Sequence, residues 1–205
     1  CVYVGDKMVL DLGGTVPGSM NVYTPDHVSN IWSSGKNLGS ICMAIMKDKG
    51  LISYEEKVCT YWPKFDCNGK GHLTVADVLR HEAGLDKLDV VIKPEWTLTE
   101  NVKKNMIGEI IENTTHYKRH ATDRVYHQLT RDWITNEIFR RVEPSGRTMG
   151  EYWQQEIQSK MGVDVYLRMD EADLKKCKDY DWTGMWRMYQ HGKKSFDDGR
   201  NMNVP

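Results

Sequence analysis

The sequence lacks an excess of charge of either sign, and it lacks any long apolar run. Its 205 residues contain 28 lysines and arginines against 29 aspartates and glutamates, a formal net charge of −1. A surface that binds phosphates needs an excess of basic side chains, so this balance argues against nucleic acid as the main partner. No apolar run approaches the roughly 20 residues that a membrane-spanning helix requires, so no membrane span is predicted.

The sequence also lacks a paired-cysteine pattern. It has five cysteines, and no two of them form a CxxC motif. An odd number without that spacing indicates reduced thiols, and we expect a cytoplasmic or mitochondrial protein. Only Cys59 and Cys67 lie close enough in the sequence to suggest a local disulfide, which the pattern does not favour.

Several motifs of nucleotide, metal and hydrolase chemistry are missing as well. The chain contains no Walker A loop, no dinucleotide-binding glycine fingerprint and no G-x-S-x-G nucleophile elbow. His81-Glu82 lacks the second histidine of the HExxH zinc motif, and we interpret it as a helix end packed before Gly84. His116 and His120 have no third ligand nearby in the sequence, and we interpret them as surface histidines. We therefore predict neither a cofactor nor a metal.

The sequence pattern predicts one domain over residues 1–205, with an extended tail over 197–205. Alternating apolar residues around Gly5-Asp6-Lys7 predict an N-terminal β-hairpin. The remainder is predicted to be mainly helical, because a hydroxyl residue followed three positions later by a carboxylate marks repeated helix starts. The predicted capping pairs are Ser53 with Glu56, Thr74 with Asp77, Thr97 with Glu100 and Thr148 with Glu151.

An S-x-x-K motif is the main candidate for chemistry. Ser33 and Lys36 are separated by nearly one turn at the start of a helix predicted to run to about Lys49, so their side chains share one side of it. A serine hydroxyl needs a base to take its proton, and a lysine can be that base or can support another. A serine in the first turn also directs its own N–H toward a developing oxyanion. The tetrapeptide alone favours a helix-capping serine followed by a solvated lysine.

The rest of that helix favours a functional role for the motif. The face that carries Ser33 and Lys36 continues through Ser40 and Ala44, which are small and uncharged, whereas a solvated face normally carries long charged side chains. We therefore expect the helix to be buried on both sides and the lysine to be covered. The other face is an apolar stripe of Leu38, Ile41, Cys42, Ile45 and Met46.

The order of segments along the chain resembles the β-lactamase-related serine hydrolases, the group of class C β-lactamases, penicillin-binding peptidases and related esterases. The sequence Ser-Ser-Gly-Lys at 33–36, after a Gly-Gly strand end, resembles their nucleophile motif. The segment from Tyr126 resembles their second motif, Tyr-x-Asn or Tyr-Ser-Asn. The similarity covers nearly the whole chain in the right order, through residues 61–65, 68–70, 73–85, 126–141 and 146–152.

The resemblance implies an α+β fold of the β-lactamase/transpeptidase type, here mostly its helical portion plus the N-terminal hairpin. It implies that Ser33 is the acylated nucleophile, that Lys36 assists its deprotonation and that Tyr126 shuttles the proton. Gln128 stands where the family usually has Asn and is the implied substrate-binding residue. The implied substrate is a small-molecule or peptide acyl compound, which is cleaved in two steps through an acyl-enzyme. The alternative for Tyr126 is an amphipathic tyrosine at the head of a helix over 129–142.

The family's third motif, Lys-Thr-Gly or His-x-Gly on a strand lining the site, is absent from the sequence up to Pro205. In the family, that strand supplies a second oxyanion N–H and completes the central sheet. Three expectations follow. The chain is incomplete at its C-terminus, or another polypeptide completes the sheet, or the protein is a catalytically impaired relative that serves as a structural component of a larger complex.

Overall fold

The computed structural model describes residues 1–14, 28, 31–117 and 124–168. They belong to two compact units: residues 1–14 and 28 belong to the first, and the second is Ile31–Arg168. The tail expected over 197–205 and His120 lie outside the described residues. The assignment of residues 1–205 to one domain stays a prediction.

The first unit contains the predicted N-terminal hairpin. Strand β1, Val2–Val4, pairs antiparallel with strand β2, Lys7–Leu10, and Gly5 occupies the turn with a φ of 58°. Glycine suits this position because a side chain is strained at positive φ. The apolar residues of both strands are between 47 and 68% exposed. A two-stranded sheet of this kind is marginal in water without further strands or a packed helix.

The second unit is helical, as predicted. None of its described helices has both the length and the apolar character needed to cross a membrane. Short 3₁₀ turns occur at Trp32–Gly35, Pro63–Phe65 and Pro94–Thr97, and a π-helical stretch at Trp153–Gln158. The α-helices are α1 Lys36–Asp48, α2 Val58–Tyr61, α3 Val75–Leu79, α4 Thr99–Lys103, α5 Met106–Asn113, α6 Thr130–Val142, α7 Met149–Tyr152 and α8 Ser159–Met161.

Helix α6 forms the centre of the helical unit, where it contacts α1, α2, α3, α5 and α7. Each large apolar side chain buried there contributes about 1.5–3 kcal/mol relative to an exposed one. Because α1 and α6 pack directly together, the S-x-x-K motif and the second motif lie at one end of the same helix pair. The core side chains from α1, α5 and α6 are Cys42, Met43, Met46, Ile107, Ile111, Ile134, Ile138 and Phe139.

Two of the four predicted capping boxes are confirmed. The hydroxyl of Thr74 accepts a hydrogen bond from the Asp77 N–H at 3.1 Å, and the Asp77 carboxylate accepts one from the Thr74 N–H at 2.8 Å. Thr148 and Glu151 make the same reciprocal pair at the start of α7. Each pair satisfies backbone N–H groups that a helix start otherwise leaves unbonded.

The other two predicted capping boxes are wrong. The hydroxyl of Ser53 donates to the Glu55 carboxylate at 2.8 Å, and that of Thr97 donates to the Pro94 carbonyl at 2.7 Å. Helix α4 begins after Leu98 with no side-chain cap. Both hydroxyls therefore close local turns, an alternative that serine and threonine side chains offer wherever the backbone bends.

The expectation that α1 is buried on both sides is also wrong. Ala44 is exposed and Ser40 is half-buried, and Ile41 of the apolar stripe is 45% exposed. Small uncharged residues on a helix face therefore do not report burial here. The four cysteines within the described residues, at positions 1, 42, 59 and 67, are free thiols, so Cys59 and Cys67 form no bridge.

A buried lysine joins the loop after α2 to the end of α5. Lys70 has no exposed surface, and its ammonium donates to the carbonyl oxygens of Glu112 at 2.9 Å and Thr114 at 2.6 Å. Burial lowers the pKa of Lys70, and the Glu112 carboxylate acts in the opposite direction. The lysine thus supplies donors to carbonyls at a helix C-terminus, where intrahelical partners run out.

Replacing Lys70 with methionine is expected to destabilise the protein by about 2–4 kcal/mol, because two buried carbonyls lose their donor while the volume is nearly kept. Chemical unfolding followed by circular dichroism measures the loss. Lys64→Met, at an exposed position, is the control and should change the free energy of unfolding by less than about 0.5 kcal/mol. Equal stability of the two variants would contradict the assigned role of Lys70.

Candidate active site

Ser33 and Lys36 lie at the junction between a 3₁₀ turn and α1. Trp32, directly before Ser33, has a φ of 47°, a region that large side chains rarely adopt. Lys36 is the first residue of α1 and Ser33 is exposed. The predicted helix start was Ser33, and α1 therefore begins about one turn later, at Lys36. The tight 3₁₀ turn before it presents the Ser33 hydroxyl at the surface beside the lysine.

Lys36 faces three oxygen acceptors. Its Nζ donates to the backbone carbonyl of Gln128 at 2.7 Å and to Ser33 Oγ at 3.5 Å, and it lies 3.5 Å from a carboxylate oxygen of Asp132. The side chain is only 14% exposed. An ammonium has three N–H donors and no acceptor, so this surrounding suits the charged form of Lys36.

Tyr126 completes the cluster from a distant part of the chain. Its phenol oxygen and Ser33 Oγ are hydrogen bonded at 2.5 Å, and Lys36 Nζ lies 5.2 Å from the centre of its ring. The pKa of Tyr126 is lowered, first by the hydrogen bond with Ser33 and then by the hydrogen bond and positive charge of Lys36. The structure thus brings three of the four predicted site residues into mutual contact.

Gln128, the fourth predicted residue, contributes its backbone. Its carbonyl accepts the 2.7 Å hydrogen bond from Lys36, while its side chain is exposed. A backbone acceptor is available whatever the side chain is, so the change from the family's Asn leaves this contact intact. A substrate contact by the Gln128 amide stays a prediction.

Residues 81–85 hold the segment that carries Tyr126. The N–H of Val125 donates to the His81 carbonyl at 3.1 Å, and the N–H of His127 donates to the His81 ring Nδ1 at 3.0 Å. The N–H of Leu85 in turn donates to His127 Nε2 at 3.0 Å. His81 follows α3, which agrees with its interpretation as a helix end, but its contacts with both neighbours of Tyr126 were not predicted.

Asp132 is the main site residue that sequence reasoning missed. It lies beside Lys36 and also accepts a hydrogen bond from buried Arg131 at 2.9 Å. Arg131 donates to the hydroxyl of Ser40 at 2.7 Å, and Ser40 donates to the Lys36 carbonyl at 2.9 Å. An acidic residue in the first turn of a helix is common for electrostatic reasons, so its sequence position offered no distinct signal.

The cluster is open to solvent. Tyr126 is 52% exposed and Ser33 is exposed, whereas the Lys36 side chain is only 14% exposed, as expected for a covered lysine. Exposure leaves the hydroxyl accessible to a substrate.

The similarity of the chain to known proteins accords with this arrangement. A family model described as Beta-lactamase matches residues 1–193. The chain belongs to the β-lactamase family. The fold class expected from the sequence resemblance, α+β of the β-lactamase/transpeptidase type, is confirmed by structural neighbours of that fold.

Among curated proteins, this β-lactamase-family chain is 31% identical over 189 residues to the esterase/beta-lactamase LipL of Mycobacterium tuberculosis (strain ATCC 25618 / H37Rv). Among solved structures it is similar to EstA from Arthrobacter nitroguajacolicus Rue61a, with 29% identity and a TM-score of 0.65. It is also similar to a penicillin-binding protein homologue from Caulobacter crescentus, with 26% identity and a TM-score of 0.62. A family VIII carboxylesterase has a TM-score of 0.68 at 23% identity and supports the fold alone.

The chain spans well under half the length of these relatives. The match to LipL takes in 84% of this chain and 39% of that protein. The matches to the EstA and Caulobacter structures take in 75% and 76% of this chain, and 40% of each of those chains. The match to the carboxylesterase takes in 80% of this chain and 44% of that one.

The titration of Tyr126 tests the electrostatics of the cluster. Lys36→Met is expected to raise the pKa of Tyr126, because it removes both a donor and a positive charge from the phenolate. Asp132→Asn is expected to lower it, because the Asp132 carboxylate disfavours the phenolate. NMR of ¹³C-tyrosine-labelled protein, with Tyr126→Phe to assign the signal, measures both shifts.

Lys47→Met, also on α1, is the control for this titration and should leave Tyr126 unchanged, because Lys47 lies over the ring of Tyr54. Shifts of the same sign in the Lys36 and Asp132 variants would contradict the assigned electrostatics.

Proposed function

We propose that this chain is a serine hydrolase that acts through an acyl-enzyme on an ester, amide or peptide-like carbonyl. One observation carries the proposal: Ser33, Lys36 and Tyr126 meet within hydrogen-bonding range although Tyr126 is 93 positions from Ser33 along the chain. Nucleophilic catalysis requires a nucleophile in contact with a base, and a third group that orients the base or shifts its pKa. The relative LipL is an esterase/beta-lactamase, which accords with this reaction class.

In the first step, Tyr126 serves as the base. Its phenolate accepts the Ser33 proton across the 2.5 Å hydrogen bond as Ser33 Oγ bonds to the substrate carbonyl carbon. The carbonyl electrons move to oxygen, and the tetrahedral intermediate collapses to an ester on Ser33. Tyr126 returns the proton to the leaving alcohol or amine. A lowered pKa brings a phenol closer to the range in which it can act at neutral pH.

Lys36 stabilises the phenolate in this scheme and does not itself take the serine proton. Its Nζ donates to the Gln128 carbonyl and lies beside the Asp132 carboxylate, so its N–H groups are already directed at acceptors. A fixed positive charge beside Tyr126 offsets the negative charge that forms on the phenol oxygen. In the second step, water replaces the alcohol, Tyr126 takes its proton, and the acid is released from Ser33.

The developing oxyanion needs donors, and the backbone N–H of Ser33 is one candidate. Ser33 belongs to the first turn of a helical segment, where N–H groups have no intrahelical acceptor. In the family, the strand with the third motif supplies a second N–H. Loss of one such donor costs about 10²–10³ in rate.

The second candidate is a catalytically impaired subunit that keeps the fold as part of a larger assembly. The observation in its favour is the N-terminal hairpin, whose apolar side chains are all 47% exposed or more. Such a hairpin calls for additional strands, from a further segment of its own polypeptide or from a partner protein. Stable copurification with a partner, together with unchanged function in Ser33→Ala, would favour this candidate.

Covalent labelling by a fluorophosphonate probe discriminates between the serine hydrolase and the catalytically impaired subunit. The wild-type protein is expected to gain one adduct on Ser33, located by mass spectrometry of its peptides, and Ser33→Ala to lose it. Ser34→Ala is the matched control, because this exposed serine is the next residue and, within the described residues, its hydroxyl has no hydrogen bond to Tyr126 or Lys36. Tyr126→Phe should slow labelling by about 10²-fold or more, since the base is removed.

Two results would reject the hydrolase proposal. One is wild-type protein that stays unlabelled while its thermal unfolding shows a folded state. The other is labelling that persists in Ser33→Ala.

A further inference from the structure

His81 contacts the chain on both sides of Tyr126. Its carbonyl accepts the N–H of Val125 at 3.1 Å, and its ring Nδ1 accepts the N–H of His127 at 3.0 Å. Its ring also lies against that of Tyr126, with the ring centres 5.0 Å apart. One residue therefore fixes the backbone before the tyrosine, the backbone after it and the face of its ring.

These contacts specify the protonation state of His81. A ring nitrogen that accepts a backbone N–H carries no proton, so His81 must be neutral with its proton on Nε2. His127 is the complementary tautomer: its Nε2 accepts the Leu85 N–H, so its proton lies on Nδ1, 2.5 Å from the Val125 carbonyl. A proton added to His81 would place a donor against the His127 N–H and abolish that hydrogen bond.

The surroundings favour the neutral form of His81. Burial lowers the pKa of His81, followed by the positive charge of Arg131 on α6 and by His127 and Lys36, while Asp132 acts in the opposite direction. The folded state therefore holds neutral His81 at neutral pH. As the pH falls below the ordinary histidine value, protonation disfavours this arrangement, and the hydrogen bond to His127 is lost as the pH passes the folded pKa.

We infer that His81 is a positioning residue for Tyr126, and that its neutral ring keeps the phenol at Ser33 and releases it when the ring is protonated. The inference rests on the proposed function and extends it to regulation: protonation of His81 adds an acid loss to the one that protonation of the Tyr126 phenolate itself causes. Neither the S-x-x-K motif nor the second motif contains this residue.

The backbone conformation of His81 tolerates two substitutions, asparagine and glycine, that separate hydrogen bonding by the side chain from its titration. Its φ is 64°, in the left-handed region, which asparagine and glycine adopt more readily than other residues. In His81→Asn, the side-chain oxygen is attached to Cγ as Nδ1 is in histidine, so it can accept the same N–H but does not titrate. His81→Gly suits the same backbone and has no acceptor.

The rate of fluorophosphonate labelling at Ser33 is measured from about pH 5 to pH 8. Wild type should lose labelling in acid, with a midpoint equal to the pKa of His81 measured by NMR. His81→Asn should label within about threefold of wild type at pH 8, keep the gradual decline caused by protonation of Tyr126, and lack the additional loss centred on the His81 pKa. His81→Gly should label about 10- to 100-fold more slowly at every pH, because a misplaced base is costly. Thermal unfolding at each pH checks that all three remain folded.

A second measurement does not depend on labelling. The ¹³C signal of Tyr126 should shift as His81 titrates in wild type, stay constant over that range in His81→Asn, and differ from wild type at every pH in His81→Gly. If wild type never labels but these NMR results hold, the proposed function fails and the positioning role stands. An acid loss that persists unchanged in His81→Asn, or a His81→Gly variant with the wild-type Tyr126 signal and labelling rate, would overturn the inference.

Discussion

The hydrogen bonds between residues 81–85 and 124–127 are the constraint on which the site depends. They bring Tyr126 to a serine 93 positions earlier in the chain, and closing so long a loop has an entropic cost that local contacts must offset. Three backbone N–H groups, of Leu85, Val125 and His127, take part in this pairing. Without it, the S-x-x-K turn would be a solvated serine and lysine at the start of α1.

The charges around Lys36 and Tyr126 indicate which of the two is the base. The sequence left open whether Lys36 is the base or supports another, because the spacing of Ser33 and Lys36 is compatible with both roles. The geometry favours support, since Lys36 faces a carbonyl, a hydroxyl and the Asp132 carboxylate, all of them acceptors. The positive charge lies beside a phenol whose pKa is lowered, which is why we propose Tyr126, and not Lys36, as the group that transfers the proton.

Much of the fold and part of the site could be predicted from the sequence. The hairpin, the helix over 130–142 and the capping boxes at Thr74 and Thr148 follow from local rules, and the order of motifs identified the family. Asp132 and His81 could not be predicted as site residues, because their roles arise from contacts between segments distant in sequence. The burial expected for α1 was wrong for a related reason: small residues such as Ala44 fit an exposed face and a covered one equally well.

The family membership of the chain rests on a match over residues 1–193, whereas the proposed chemistry rests on three side chains that must stay together when a substrate analogue is bound. A crystal structure of the phosphonate adduct tests this most directly. The account predicts a phosphorus–oxygen bond to Ser33 Oγ, with the Tyr126 phenol and the Lys36 ammonium both within hydrogen-bonding distance of that oxygen. An adduct on another residue, or on Ser33 with Tyr126 turned away and Lys36 surrounded by water, would contradict it.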